Sequence, residues 1–203
     1  MASASERELV HAAQGNPETF GILYDQHVDR IFRYLLARTG NVPLAEDLTA
    51  ETFLAALRGL WRYRWTGKPF SAWLYRIARS RLGEHQRQQH KFPTVALELA
   101  EELPDLRTAD HMAVASGDKF LAAALEELRE GERDVVVLRY FEDLPLGEIA
   151  WILKLPVNTV KSHLHRSLLR MRQYLKEQTN EPAITGKLRG SLAPRGAERS
   201  TAA

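Results

Sequence analysis

Leu146-Gly147-Glu148-Ile149-Ala150-Trp151-Ile152-Leu153-Lys154-Leu155-Pro156-Val157-Asn158-Thr159-Val160-Lys161-Ser162-His163-Leu164-His165-Arg166 decides how this chain is read. It has the pattern of a helix-turn-helix. A short apolar helix ends near Leu153, a tight connection follows, and a second helix starts around Pro156, where a ring without an N–H breaks no bond. Such a pair suits the DNA major groove. Along the second helix Val160, Leu164, Leu168, Met171 and Leu175 recur at three- and four-residue steps, which predicts one apolar stripe. The opposite face carries Lys161, Ser162, His165 and Arg166, and between Lys154 and Lys176 the basic residues meet no acid. Phosphate is the matching counter-charge. Arg has the fork that matches guanine O6 and N7, and Ser and His reach base edges or backbone oxygens. Base reading is therefore assigned to Arg166, His165 and Ser162. A basic amphipathic helix can also be a plain surface helix of a bundle; the paired short helix and the turn argue against that here. Trp151 is read as packing between helices.

Working outward, the pattern stays helical. From Ser5 to about Lys91 there is 3.6-residue periodicity and almost no alternation, so no sheet is expected. Phe20, Leu23, Tyr24, Val28, Ile31 and Leu35 place a helix after Asn16-Pro17; Gly40-Asn41-Val42-Pro43 ends it and starts the next, which runs to about Leu60. Another extends from Phe70 towards Gln89. The expected fold is all-α: a helical bundle over 5–91, an acidic flexible linker over 92–117, a smaller helix-turn-helix domain over 118–177 and a disordered tail over 178–203. The linker carries Glu98, Glu101, Glu102, Asp105 and Asp110, and the tail is rich in Gly, Pro, Ser, Ala and Arg.

Residues 58–91 mix nine basic side chains with Trp61, Tyr63, Trp65, Phe70, Trp73 and Tyr75, against the lone acid Glu84. Single-stranded nucleic acid is bound by this combination, cations following the backbone and aromatic faces stacking on unpaired bases. Phe70, Trp73, Leu74 and Ile77 have helical spacing and are read mostly as core. Tyr63 and Trp65 fall in a loop broken by Gly67 and Pro69 and are the better stacking candidates. Aromatic–arginine clusters also arise as plain packing at a domain edge. Duplex recognition in one domain and a single-strand platform in the other, joined by a tether, suggest a protein that holds DNA while it opens.

The totals narrow the classes. With 203 residues and 44% hydrophobic content the chain can build real cores, and its net charge of only +2 conceals the segregation of acids and bases. The absence of cysteine excludes disulfides, thiolate catalysis and cysteine-ligated metal. Met1-Ala-Ser-Ala-Ser-Glu-Arg-Glu is not a basic leader followed by an apolar run, and no stretch is long enough to span a bilayer, so a cytoplasmic protein without membrane insertion is expected. No phosphate-binding Gly-rich loop, HExxH or nucleophile elbow is present, and His163 and His165, two apart on a helix, do not face one metal. No enzyme activity, metal or cofactor is expected.

Phe20-Gly-Ile-Leu-Tyr-Asp-Gln-His, Ala45-Glu-Asp-Leu-Thr-Ala-Glu-Thr-Phe53 and Phe70-Ser-Ala-Trp-Leu-Tyr-Arg-Ile-Ala-Arg79 resemble conserved region 2 of the bacterial RNA polymerase sigma factors of the extracytoplasmic-function (ECF) group. Glu148-Ile-Ala through Thr159-Val-Lys-Ser-His-Leu-His-Arg166 resembles their region 4. The resemblance implies a factor that binds core RNA polymerase, through the β′ clamp coiled coil and the β flap, and directs promoter-specific initiation by reading the −35 duplex and opening the −10 element. It implies −35 contacts by Thr159, Lys161, Ser162, His165 and Arg166. It implies −10 contacts by Tyr63, Arg64, Trp65, Thr66, Gly67 and Lys68, the loop that captures a flipped base, and by Trp73, Arg76, Arg79 and Ser80 on the adjoining helix. It places Asp47, Leu48, Glu51 and Phe53 at the polymerase clamp, sets the acidic linker in the polymerase channel, and adds an anti-sigma factor as partner. The competing reading is a stand-alone helix-turn-helix transcription regulator, whose receiver domain would need alternating strands that the first half lacks.

Overall fold

Local signals start and stop the N-terminal helices. The computed structural model describes residues 4–91 and 119–180, and among them every regular element is helical. Helix α1 spans Ala4–Gly15 and α2 Pro17–Thr39. Asn16 sits in extended conformation between them, its side chain accepting the N–H of Glu18 at 2.9 Å, with Pro17 in the first turn. Gly40 closes α2 in the left-handed conformation (φ 63°), donating its N–H to the Leu36 carbonyl. Asn41 then caps α3, Val42–Gly59, by accepting the N–H of Leu44. So short a link folds α3 back on α2. A single 3₁₀ turn, Leu60–Arg62, leads into the loop 63–69, and α4 runs Phe70–Lys91. Leu23, Ile31, Tyr34, Leu35, Leu48, Phe70, Leu74 and Tyr75 form the core of this unit, all within 2% of complete burial.

The C-terminal unit comprises α5 (Lys119–Glu126), α6 (Glu130–Val136), a π-helical turn (Val137–Phe141), α7 (Leu146–Leu153) and α8 (Val157–Asn180). Its core is Val135, Leu138, Ile149, Ile152 and Val160. The Arg133 guanidinium donates to the carbonyls of Glu126 and Leu128, satisfying acceptors that the end of α5 leaves open. Between α7 and α8, Lys154 adopts φ 56°, ψ 42°. The N–H of Leu155 reaches the Ala150 carbonyl and that of Lys154 the Trp151 carbonyl, a Schellman closure. Pro156 stands just before α8, and its carbonyl accepts the N–H of Val160.

The apolar stripe of α8 needs one correction. Val160 and Met171 are buried, with Leu164 and Leu175 partly so, but Leu168 is 40% exposed and Ser167 is fully buried in its stead. Ser167 satisfies its hydroxyl by donating to the His163 carbonyl at 2.8 Å, and its small volume lets α8 lie close on its neighbours. Helix α8 also continues to Asn180, so residues 178–180 are helical rather than the start of a tail. The acidic segment 92–117 and residues 181–203 lie outside the described residues.

Candidate nucleic-acid interface

The helix-turn-helix presents the face expected of it. Val160 points inward, Thr159 is partly buried, and Lys161, Ser162, His165 and Arg166 are exposed. Ser162 is held by its hydroxyl, which donates to the Asn158 carbonyl at 3.0 Å. Arg166 does not hang free. Its Nε lies 4.0 Å from Glu132 Oε1, and Arg170, one turn on, donates to Glu132 Oε2 at 2.5 Å. Glu132 itself is buried on α6, so one carboxylate anchors Arg170 and stands at ion-pair distance from Arg166. That residue was not legible as functional: an acid at the start of a helix reads as a favourable charge near its N-terminus.

In the N-terminal unit the loop 63–69 carries Tyr63, Arg64, Trp65, Thr66, Gly67 and Lys68 and α4 carries Trp73, Arg76, Arg79 and Ser80; the two meet at an edge where the Tyr63 and Trp73 rings pack, and Arg76, Arg79 and Ser80 line one cavity further along α4. Gly67 has φ 75°, a turn conformation that favours glycine. Tyr63 is a packing residue as much as a surface one: its ring lies 4.8 Å from Trp73 and 5.6 Å from Phe70, and burial, with the charge of Glu6, pushes its hydroxyl pKa up to about 12. Trp65 is likewise half-buried against the core. The openly exposed ring is Trp61, 67% exposed, with the Arg62 guanidinium 4.3 Å from its centroid. Two α1 residues brace this edge without any sequence signal for it. Gln14 donates to the carbonyls of Leu60 and Tyr63, and Glu6 accepts the N–H of Phe70 where α4 starts.

On α3, Asp47 and Glu51 are exposed one turn apart, whereas Leu48 and Phe53 are buried in the core. Leu48 and Phe53 therefore set the packing of the helix, and the surface available to a partner is Asp47 and Glu51 with the exposed Leu54 and Leu57.

The two units pack directly on each other. Asp134 of α6, 1% exposed, accepts from Arg38 Nε (2.7 Å), Tyr34 OH (2.9 Å) and Arg79 Nε (2.9 Å). Glu142, 4% exposed, accepts from Tyr75 OH (2.5 Å) and Arg30 Nε (3.4 Å), with Arg33 Nε 3.8 Å away, and its backbone carbonyl accepts from Arg30 as well. Burial raises the Glu142 carboxyl pKa against the opposing pull of Tyr75 and the two arginines. Burial and the Asp134 charge raise the Tyr34 hydroxyl well above its ordinary value. Arg76 stacks on the Trp151 ring at 4.4 Å, so Trp151 packs between helices as its sequence context suggested. Among the described residues no cluster of His, Cys, Asp and Glu could hold a metal ion, and no helix is long and apolar enough to cross a membrane.

Comparison with known proteins matches both units in order. Residues 23–92 match Sigma-70 region 2 and residues 121–171 match Sigma-70, region 4. BldN, an ECF RNA polymerase sigma factor of Streptomyces coelicolor, is 31% identical over 178 residues, covering 86% of this chain and 67% of BldN. The ECF RNA polymerase sigma factor SigL of Mycobacterium tuberculosis is 30% identical over 176 residues, covering 87% of this chain and 94% of SigL. Among solved structures, that of CnrH in complex with the cytosolic domain of CnrY aligns with a TM-score of 0.64 at 25% identity, over 85% of this chain and 97% of the matched one. The paired regions and the reach of these relatives along the chain decide between the two readings of the helix-turn-helix: this chain belongs to the ECF RNA polymerase sigma factors, and it directs RNA polymerase to promoters.

Proposed function

We propose a division of labour in which the bundle, over 5–91, engages the polymerase clamp and opens the −10 element, and the helix-turn-helix domain, over 118–177, reads the −35 duplex and touches the β flap. The observation that carries it is the exposed face of α8, where Lys161, Ser162, His165 and Arg166 project beside a buried Val160 with no acid on the same helix before Glu177. Arg166 and Lys161 supply the charge and the guanine fork; Ser162, His165 and Thr159 supply hydrogen bonds to bases or phosphate. In the bundle, Arg64, Thr66, Gly67 and Lys68 with the rings of Tyr63 and Trp65 form the pocket for an unpaired base. Trp73, Arg76, Arg79 and Ser80 follow the opened strand. Asp47 and Glu51 meet the clamp.

All nucleotide chemistry then belongs to the polymerase, and the chain works in the cytoplasm without cofactor. An anti-sigma factor belongs to the same reading, supported by CnrH, solved in complex with the cytosolic domain of CnrY. Run-off transcription with sigma-free bacterial core polymerase on a fragmented genomic library tests the assignment. New 5′ ends preceded by a shared pair of −35 and −10 elements are expected. Sequence-specific duplex binding by the chain alone, with no new starts from a polymerase that answers a control sigma factor, would reject it.

A further inference from the structure

A cavity of about 380 Å³ lies between α4 and the end of α2 on one side and α6 with the turn between α7 and α8 on the other. Small-molecule sites have this size. Its charge is lopsided: Arg38, Arg76, Arg79, Arg87 and Lys154 line it against two acids, Glu130 and Asp134. Arg38 and Arg79 share Asp134, and Arg76 lies on the Trp151 ring rather than on a carboxylate. Arg87 and Lys154 have no acidic partner among the described residues. The Arg87 guanidinium folds back over α4, its Nη1 3.6 Å from where a Cβ would stand on Gly83, another residue of the lining. Lys154 holds a left-handed turn position that favours glycine, so a long cationic side chain stands where the backbone alone does not call for one. Arg38 is the buried member: its side chain is 2% exposed and its Nη1 has no hydrogen-bond partner. A buried cationic donor left open calls for an acceptor that the chain itself does not supply. The remaining wall is of another kind. Leu82 and Ile152 are buried apolar side chains, and the side-chain amide of Gln86 is unbonded among the described residues.

We propose that this cavity binds a nucleoside diphosphate. Its phosphates, which carry about three negative charges at neutral pH, match the excess of cations and pair with Arg38, Arg87 and Lys154. Its base lies against Leu82 and Ile152 within reach of the Gln86 amide, a part of the cavity that inorganic phosphate leaves unused. Because the walls come from both units, the nucleotide binds only while they are packed together and favours that packing by mass action. It also occupies Arg76 and Arg79, and so excludes the −10 strand from them. The binding site stands on the cavity itself; the exclusion rests on the −10 assignment above.

Isothermal titration calorimetry of the full-length chain with GDP and with ADP, in about 0.15 M salt, tests the site. At least one of the two should bind one to one in the micromolar range, with pyrophosphate and the matching nucleoside each roughly tenfold or more weaker. Arg87→Gln with Lys154→Asn, the asparagine being tolerant of the left-handed turn, should lower the affinity by roughly tenfold to a hundredfold and leave the circular dichroism spectrum unchanged. No binding of either nucleotide up to about 1 mM, pyrophosphate binding as tightly as the diphosphate, or unchanged affinity in the folded variant overturns the proposal. A single-stranded −10 oligonucleotide, followed by fluorescence anisotropy, should be displaced by the bound nucleotide. Binding of both without displacement leaves the nucleotide site standing and overturns the placement of Arg76 and Arg79 on the −10 strand.

Discussion

Arg166 and Arg170 both face one buried carboxylate, that of Glu132. The Arg166 guanidinium lies 4.0 Å from that carboxylate and is otherwise open to solvent, 56% exposed. Arg166→Ala should lower discrimination at one −35 base pair by about 1–3 kcal/mol and leave core-polymerase binding intact, read out by transcription from promoters substituted one base pair at a time. An equal loss on every sequence would make it a phosphate contact. Glu132→Ala removes a charge-assisted bond from Arg170, itself 43% exposed, and should cost about 1–2 kcal/mol of stability in urea unfolding. His27 gives a pH signature. It is buried on α2, neither ring nitrogen has a hydrogen-bond partner, and burial together with Arg30 lowers its pKa to about 4. The folded state keeps the ring neutral while the unfolded chain takes up a proton below about pH 6.5, so stability is present above that value and is lost as pH falls towards 4. Between pH 7.5 and 5 the unaltered chain should lose about 2 kcal/mol more than His27→Met, measured by urea unfolding of both.

At the scale of elements, the readable features are those whose cause is local. Asn16-Pro17 and Gly40-Asn41 announce their helix ends because a side chain, a ring or a missing Cβ acts within four residues. The helix-turn-helix was legible for the same reason, although its turn carries Lys154, not glycine, in the left-handed position. Lys154→Gly should therefore raise stability by about 0.5–1 kcal/mol, seen as a higher urea midpoint with unchanged helix content. Where the cause is remote, reading stops. Leu168 fits the stripe of α8 as well as Ser167 does until the close approach of a neighbouring helix selects the smaller side chain. Tyr63 and Trp65 carry no periodicity that says which way a loop ring turns, so their packing on the core was invisible. The π turn is hidden in Val135-Val136-Val137-Leu138, apolar on every side and silent about the extra residue.

The pairing of the two units is the whole-molecule property that sequence reading left out. Two bundles joined by an acidic segment look independent, because each has its own apolar faces and nothing in a single chain says that a lone Asp and a lone Glu will meet arginines about 100 positions earlier. Both groups of the Arg38–Asp134 pair are 2% exposed, so mobile ions barely reach it. The distance between spin labels placed one in each unit should accordingly stay the same from about 0.1 to 0.5 M salt, while affinity for duplex −35 DNA falls steeply over that range. Pulsed EPR and a salt titration of DNA binding on the same sample would show whether the two respond differently.

The order in which these partners leave the ribosome adds a dimension of time. Tyr34, Arg38 and Arg79 are complete as soon as the first bundle has been made, but the carboxylate that covers them arrives only at position 134. At bacterial rates of about 5–20 residues per second, the 55 residues separating Arg79 from Asp134 leave every newborn molecule without that carboxylate for at least roughly 3–11 s. Each copy thus passes once, during its own synthesis, through a state in which Tyr34 and Arg38 lack the carboxylate that pairs them in the finished fold.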